Sequence, residues 1–494
     1  MRTDQDSETL AQPPTNLAPI RKPSVVSGVP SRRSIANRRS SQRRLNLKDL
    51  NYHKVLLISV IFGMVFSPFN GIQNVLHGLM KEYGYNNIGL LSLAVFYLAF
   101  GIGSFFTPQL STKLAYKYTF FVSTAPMIAF FGAMWLLISC TDGSYSICNT
   151  STMYLFVFGC ATIAGFGTSL LYIAQSIFLT DCSNPINKSK MFGMISTSSQ
   201  LAQAVGALFT CLLLPNFGAS PFFLIVIVIC IAATVLTLWL KTPEKDSENP
   251  EYFMEVPLTF PLQDYPPNDL ETRLLQQKSD VSIPHMDSFT SKFFWNCLNK
   301  NKMTIFYPLF LASACNFSLF VSYLASDVYD VLSKTSDSED RYFSHKLMQI
   351  VLVFLALGLG EIFSSRFFHK KIYQNKRDAL SLTYKIFIAC GILHIICNSI
   401  GSYILYIPLG FLYGVGDSGS RDMIAAAISM KFIERFEPFT CFRIVYFTSL
   451  GGFFILHLLI MKGAPTVSFI FFIFLTLYAW VNNYRFFTRS TPDG

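Results

Sequence analysis

Leu98-Ala99-Phe100-Gly101-Ile102-Gly103-Ser104-Phe105-Phe106 is answered 257 residues later by Leu355-Ala356-Leu357-Gly358-Leu359-Gly360-Glu361-Ile362-Phe363, with five of nine positions identical. Each copy sits in an apolar run of about 20 residues, the length a helix needs to cross a lipid bilayer. A second pair lies further along, where Gly165-Phe166-Gly167-Thr168-Ser169 matches Gly414-Val415-Gly416-Asp417-Ser418 at a shift of 249. Two matches in near register indicate a duplicated unit. Lipid supplies no hydrophobic drive for helix association, so close backbone approach at small residues must supply it. Gly101, Gly103, Gly165, Gly167, Gly358, Gly360, Gly414 and Gly416 are therefore read as helix-packing glycines.

Outward from these phrases the chain holds twelve apolar runs. The first six are Val55–Leu79, Asn87–Pro108, Tyr118–Ser139, Met153–Leu179, Phe192–Leu214 and Pro221–Leu240. The second six are Ile305–Ser326, Leu347–Phe368, Leu380–Ile400, Tyr403–Met430, Phe442–Met461 and Thr466–Tyr484. Only helices and closed barrels satisfy the backbone in lipid, and these runs are too long for barrel strands. The expected fold is an all-α polytopic membrane protein with twelve transmembrane helices in two six-helix pseudo-repeats. The expected organisation is a disordered basic tail (1–54), a first bundle (55–240), a polar, proline-containing linker (241–304), a second bundle (305–484) and a short tail (485–494).

Composition agrees. Of 494 residues 51% are hydrophobic and only 14% charged, with mean hydropathy +0.41 and 49 phenylalanines. Soluble domains carry roughly 25% charged residues, so soluble-enzyme classes are excluded. The eleven cysteines show no zinc-like spacing, and no nucleotide-binding loop or hydrolytic triad is present. The expectation is a non-enzyme without cofactor, metal or nucleic-acid partner, whose surroundings are the lipid bilayer.

Lys and Arg in short loops mark the cytosolic side. The loops after helices two, four, eight and ten hold twelve such residues, Arg443 counted among them, and the opposite side holds five. With eleven basic residues in 1–54, both termini are expected in the cytosol. The loop after helix three would then lie outside. It carries the sequon Asn149-Thr150-Ser151, a candidate glycosylation site, and Cys140 and Cys148, a candidate disulfide in an oxidising compartment. Asp327 is placed in the outer loop after helix seven. Ser34, Ser40 and Ser41, set among arginines, are candidate phosphorylation sites whose charge would weaken attraction to anionic lipid.

Ionisable residues inside the bilayer are costly and point either to function or to tight pairing. Here they are Glu361 on helix eight, Lys385 on helix nine, and Asp417, Arg421 and Asp422 on helix ten. Asp417 and Arg421 are four apart and share a helix face. Glu361 and Asp417 each lie fourteen residues past the outer start of their run, hence at a common depth. They are candidates for proton or cation exchange; a self-neutralised network that orients helices is the alternative. Gln73, Asn74 and Gln175, with His394 and Asn398 in the second half, are candidates to line a central cavity, or else to bond between helices.

Two parallel six-helix repeats joined by a long loop resemble the plan of the major facilitator superfamily. Within it, Asn70-Gly71-Ile72-Gln73-Asn74, Gly89-Leu90-Leu91-Ser92-Leu93, Gly165 through Gln175, and Gly414-Val415-Gly416-Asp417 resemble the uncoordinated protein 93-like family. The resemblance implies a glycosylated multi-pass protein, of the plasma membrane first and of endomembranes second. It also implies a regulatory or trafficking role toward another membrane protein, foremost a potassium channel complex, with a receptor as the other partner class. The alternative is an ion- or proton-coupled secondary transporter of a small substrate or ion, using Glu361 and Asp417. Departures are visible. Tyr172 stands where the family favours Trp, and Ser418-Gly419-Ser420-Arg421-Asp422 replaces an Asn-Thr-Gln-like run. In the loop after helix two, Thr112 stands where transporters of the superfamily have an acid, which favours the regulatory reading.

Overall fold

Without water to bond to, each apolar run satisfies its own backbone as a helix. The computed structural model describes residues 32–85, 87–140, 148–183, 188–243, 301–334, 342–431, 436–460 and 465–489. Within them α1 (Arg32–Glu82), α2 (Ile88–Lys113), α3 (Tyr116–Ser139), α4 (Thr150–Cys182), α5 (Lys188–Phe217) and α6 (Ala219–Thr237) form the first set. In the second set α7 is built from Tyr307–Leu319, a π-helical turn Phe320–Leu324 and Ala325–Lys334. It is followed by α8 (Tyr342–Gln374), α9 (Lys376–Ile400), α10 (Tyr406–Lys431), α11 (Phe436–Ile460) and α12 (Pro465–Arg489). Among the described residues eleven helices are long and apolar enough to cross a membrane. The twelfth, α10, has the length at 26 residues but carries Asp417, Arg421 and Asp422 in one stretch.

Several boundaries differ from expectation: α8 begins five residues before Leu347 and ends six after Phe368, α2 ends five after Pro108, and α12 ends five after Tyr484, inside the expected short tail. Three further differences have a local cause. Residues 32–49, read as irregular tail, are helical and form a unit separate from the body, 50–494. Pro30 is the last helix breaker before Gly63, so nothing in that stretch stops helix propagation. The segment α7 runs eight residues past Ser326, because the π turn re-phases the helix and keeps Asp327 turned toward α9 rather than into a loop. The start of α11 is six residues earlier than Phe442, because Pro438 is tolerated in a first helical turn. Residues 244–300 of the linker, the side chains of Ser34, Ser40 and Ser41, and residues 490–494 lie outside the described residues.

The glycines carry the repeat into three dimensions. In α2, a Cβ on Gly101 would stand 2.7 Å from the Thr448 nitrogen of α11, in the other half, while Gly103 abuts Phe166 and Ser169 of α4. In α8, a Cβ on Gly358 would stand 2.7 Å from Ala204 Cα of α5, again in the other half, while Gly360 abuts Phe411 of α10. The next pair follows suit: Gly165 faces α2 and Gly167 faces α3, as Gly414 faces α8 and Gly416 faces α9. Equivalent glycines serve equivalent neighbours, as a duplicated six-helix unit requires.

Cys140 and Cys148 are joined, with Cα atoms 5.3 Å apart, and mark one end of the bundle. Asn149 beside them is exposed and caps α4, accepting from the Ser151 amide at 3.3 Å. Toward this disulfide end a single apolar cluster crosses from one half to the other through Val75, Leu79, Phe320, Val328, Ile350 and Phe454. The crevice left there, between Val75, Leu79, Glu82, Tyr329 and Ile350, is about 30 Å³, room for about one water. The second half also has a core of its own, including Phe306, Phe310, Tyr384 and Ile428 toward the basic end and Tyr323 and Phe469 toward the other. Apolar packing thus joins the two halves toward the disulfide end, and Phe105 of α2 packs against the second half's own core as well.

Candidate functional site

Where α8 and α10 cross, the backbones come together at Gly414, which rests on the Leu357 carbonyl and the Glu361 amide. One turn further along α10 is Asp417, and one turn beyond that Arg421. That spacing brings three charges to one point. Arg421 Nη2 lies 2.7 Å from Asp417 Oδ2 and 3.4 Å from Glu361 Oε2. The side chains of Glu361 and Asp417 are 4% and 0% exposed, whereas Arg421 keeps 40% exposure. Among the described residues Asp417 Oδ1 has no hydrogen-bond partner.

Two buried carboxylates therefore share one cation. If both are ionised the group carries a net negative charge deep in the bundle, an arrangement that burial penalises heavily. A single proton or monovalent cation restores neutrality. Small hydroxyls anchor the surrounding backbone: Ser364 donates to the Val415 carbonyl at 2.8 Å, Ser420 to the Asp417 carbonyl at 2.8 Å, and Ser313 Oγ meets Ser420 Oγ at 2.6 Å. Gln200 of α5 donates to Ser418 Oγ at 3.1 Å and ties the first half to α10. Tyr172 of α4 and Tyr446 of α11 lie within electrostatic reach of Arg421.

Of the other residues singled out in the sequence, Asp422 is half-buried and forms no ion pair among the described residues. Gln73 of α1 accepts from the Tyr97 hydroxyl of α2 at 2.7 Å and donates to Asn70 at 3.3 Å, and Tyr97 in turn lies within electrostatic reach of Asp417 and Arg421. Both amide atoms of Asn74 are buried without a partner among the described residues. Gln175 is buried at 8% exposure. Among the described residues no group of three or more His, Cys, Asp or Glu could hold a metal ion.

Two features escape the sequence reading. Arg443, counted above with the loops, lies inside α11, where Nη2 donates to Ser176 Oγ of α4 at 3.0 Å and the guanidinium stands 5.7 Å from the Tyr172 ring centroid. Pro438, the first-turn proline, is the signal that would have placed it within a helix. The second is a network near the disulfide end. His394 Nε2 meets Asp327 Oδ2 at 2.8 Å, Asn398 donates to the same oxygen at 3.0 Å, and His394 Nδ1 meets the Tyr413 hydroxyl at 2.8 Å. Tyr406 donates to Asn398. His394 and Asn398 are thus used within the second half rather than lining a cavity between the halves.

Comparison with known proteins fits this architecture. A family model for the Major Facilitator Superfamily matches residues 55–435. A stretch of 138 residues is 25% identical to protein unc-93 homolog A of Xenopus laevis, covering 28% of this chain and 26% of that protein. A stretch of 135 residues is 29% identical to unc-93 homolog A of Danio rerio, covering 27% and 25%. The match spans about a quarter of the length of these curated relatives. The crystal structure of the nucleoside transporter NupG superimposes with a TM-score of 0.56 at 10% identity, over 89% of this chain and 100% of that one. A POT family transporter in complex with 5-aminolevulinic acid superimposes with a TM-score of 0.59 at 14% identity, over 89% and 96%. At such identities the likeness speaks for the fold alone.

Proposed function

The chain belongs to the major facilitator superfamily, and from that premise we propose that it is a proton-linked secondary transporter rather than an enzyme. The observation that carries this reading is the sharing of Arg421 between Glu361 and Asp417 of the second half, beside the Gln200–Ser418 bond that reaches α10 from the first. With both acids ionised, the surplus charge favours contact with water; with one proton bound, the triad is neutral and tolerates closure. A shift of one proton thus biases which end of the bundle is open, and alternation follows when the halves rock about their glycine contacts. We place the basic end in the cytosol and the disulfide and Asn149 outside, at the plasma membrane, since disulfides persist in oxidising compartments.

The test is charge displacement by the purified protein in liposomes on a solid support, driven by a pH gradient across a panel of small organic solutes. The wild type is expected to give solute-dependent currents that Glu361→Gln abolishes while leaving the amount of reconstituted protein unchanged. A silent wild type, or an unaffected Glu361→Gln, overturns the reading.

A second reading keeps the implication of the family resemblance: a regulatory or trafficking subunit of another membrane protein, foremost a potassium channel complex. Thr112, standing where the superfamily's transporters use an acid to steady one state, favours it. That subunit would co-purify with a channel, change its current, and move nothing when reconstituted alone.

A further inference from the structure

We propose that Arg443, together with the exposed face of Arg421, binds the carboxylate of a small organic anion that enters from the basic end. This rests on the transporter reading and names the substrate class of the same site.

Four observations converge. First, Arg443 is a cation within α11 that has no carboxylate within 4 Å among the described residues; its one hydrogen bond is to the neutral Ser176. A guanidinium inside a membrane bundle ordinarily finds an anion, and Arg443 has donors left over to receive one. Second, the two arginines have a neighbour in common. Both act electrostatically on Tyr172, whose ring lies 5.7 Å from the Arg443 guanidinium. Third, the depths agree. Arg443 and Ser176 lie seven and six residues from the basic ends of their helices, Phe436 and Cys182, about 10 Å in. Arg421 and Tyr172 each lie ten residues from Lys431 and Cys182, about 15 Å in. Fourth, the Arg421 side chain is 40% exposed, and Arg443 reaches from the second half to Ser176 of the first.

The planar fork of arginine matches carboxylate geometry bidentately. Charge accounting links binding to the proton. As long as Glu361 and Asp417 are ionised they hold Arg421 and repel an anion, with Asp422 adding to the repulsion. Each proton taken up by this pair offsets the negative charge of one bound carboxylate, so the net charge of the site is conserved. Proton and anion are then carried in the same direction.

The experiment measures equilibrium binding to the purified full chain, not flux, with benzoate and acetate as probes, benzamide and acetamide as neutral isosteres, and inorganic phosphate as a second oxyanion. Thermal unfolding at constant ionic strength reads occupancy. Benzoate or acetate is expected to raise the melting temperature more strongly at mildly acid than at neutral pH, and the amides are not. Arg443→Gln should weaken the apparent affinity by at least about tenfold. Arg443→Lys, which keeps the charge but loses the fork, should fall between. Glu361→Gln should bind with a flattened pH dependence. If Arg443→Gln does not fold, Arg443→Lys and Ser176→Ala decide. No carboxylate effect, an equal effect of amides or phosphate, or unchanged affinity in the Arg443 variants overturns the proposal. Binding without any pH-driven flux refutes the transporter reading and leaves the site standing; flux without Arg443-dependent binding refutes the site alone.

Discussion

Replacing Arg421 by Met removes the guanidinium that, among the described residues, Glu361 and Asp417 alone share, and keeps a comparable apolar volume. The two carboxylates, 4% and 0% exposed, are then left without a counter-charge. Breaking a buried pair from one side costs about 3–5 kcal/mol. Since Arg421 is 40% exposed, solvent already screens part of its attraction, and the expected loss falls to about 2–3 kcal/mol. The assay is thermal unfolding of the detergent-solubilised protein, followed by its monodisperse fraction. Lowering the pH from about 7.5 to about 5 should shrink the loss, because protonation discharges the stranded acids. Adding Glu361→Gln and Asp417→Asn to Arg421→Met should recover most of it, since removing both sides of a buried pair is far cheaper than removing one. Arg421→Met as stable as wild type at neutral pH, or a triple variant no better than the single, refutes the reasoning.

Gly414→Val should drive α8 and α10 apart and cost about 1–3 kcal/mol, whereas Gly78→Ala, with nothing within 4 Å of the added carbon, should be neutral in the same melting assay. Cys140→Ser, or reduction of the wild type, should lower stability by about 2–3 kcal/mol, the loop-closure value for a bridge of this short span, and an unchanged melt would contradict it. Asp327→Ala strands His394 Nε2 and Asn398 and should cost about 1–3 kcal/mol, with Asp327→Asn costing less; equal melting of the two would show that the network does not hold α7 to α9.

The features of the fold legible in the sequence were those with a strong periodic or compositional signature. Gly101 and Gly103 against Gly358 and Gly360 revealed the duplication because close backbone approach admits so few residue types. Glu361, Asp417 and Arg421 were legible as a group from depth and spacing alone, since charges in a membrane helix have few uses. Arg443 was not, because loop charge and helix charge look alike in sequence and only Pro438 hinted at the boundary. Asp327 was misplaced for a related reason: a π turn leaves no periodic trace, and an acid near a helix end reads as loop. The run 418–422, where this chain departs from the family it resembles, is also where Arg421 enters the site.

The central claim is that protonation of the Glu361–Asp417 pair changes which end of the bundle is open. Spin labels on Lys113 of α2 and Arg366 of α8, both exposed near the basic end, report the separation of the halves by double electron–electron resonance. The account expects the distance distribution to shift between neutral and acid pH in the labelled wild type, and to stay fixed in the Glu361→Gln, Asp417→Asn background. Distributions that ignore pH in the wild type, or that shift equally in the double variant, would contradict it.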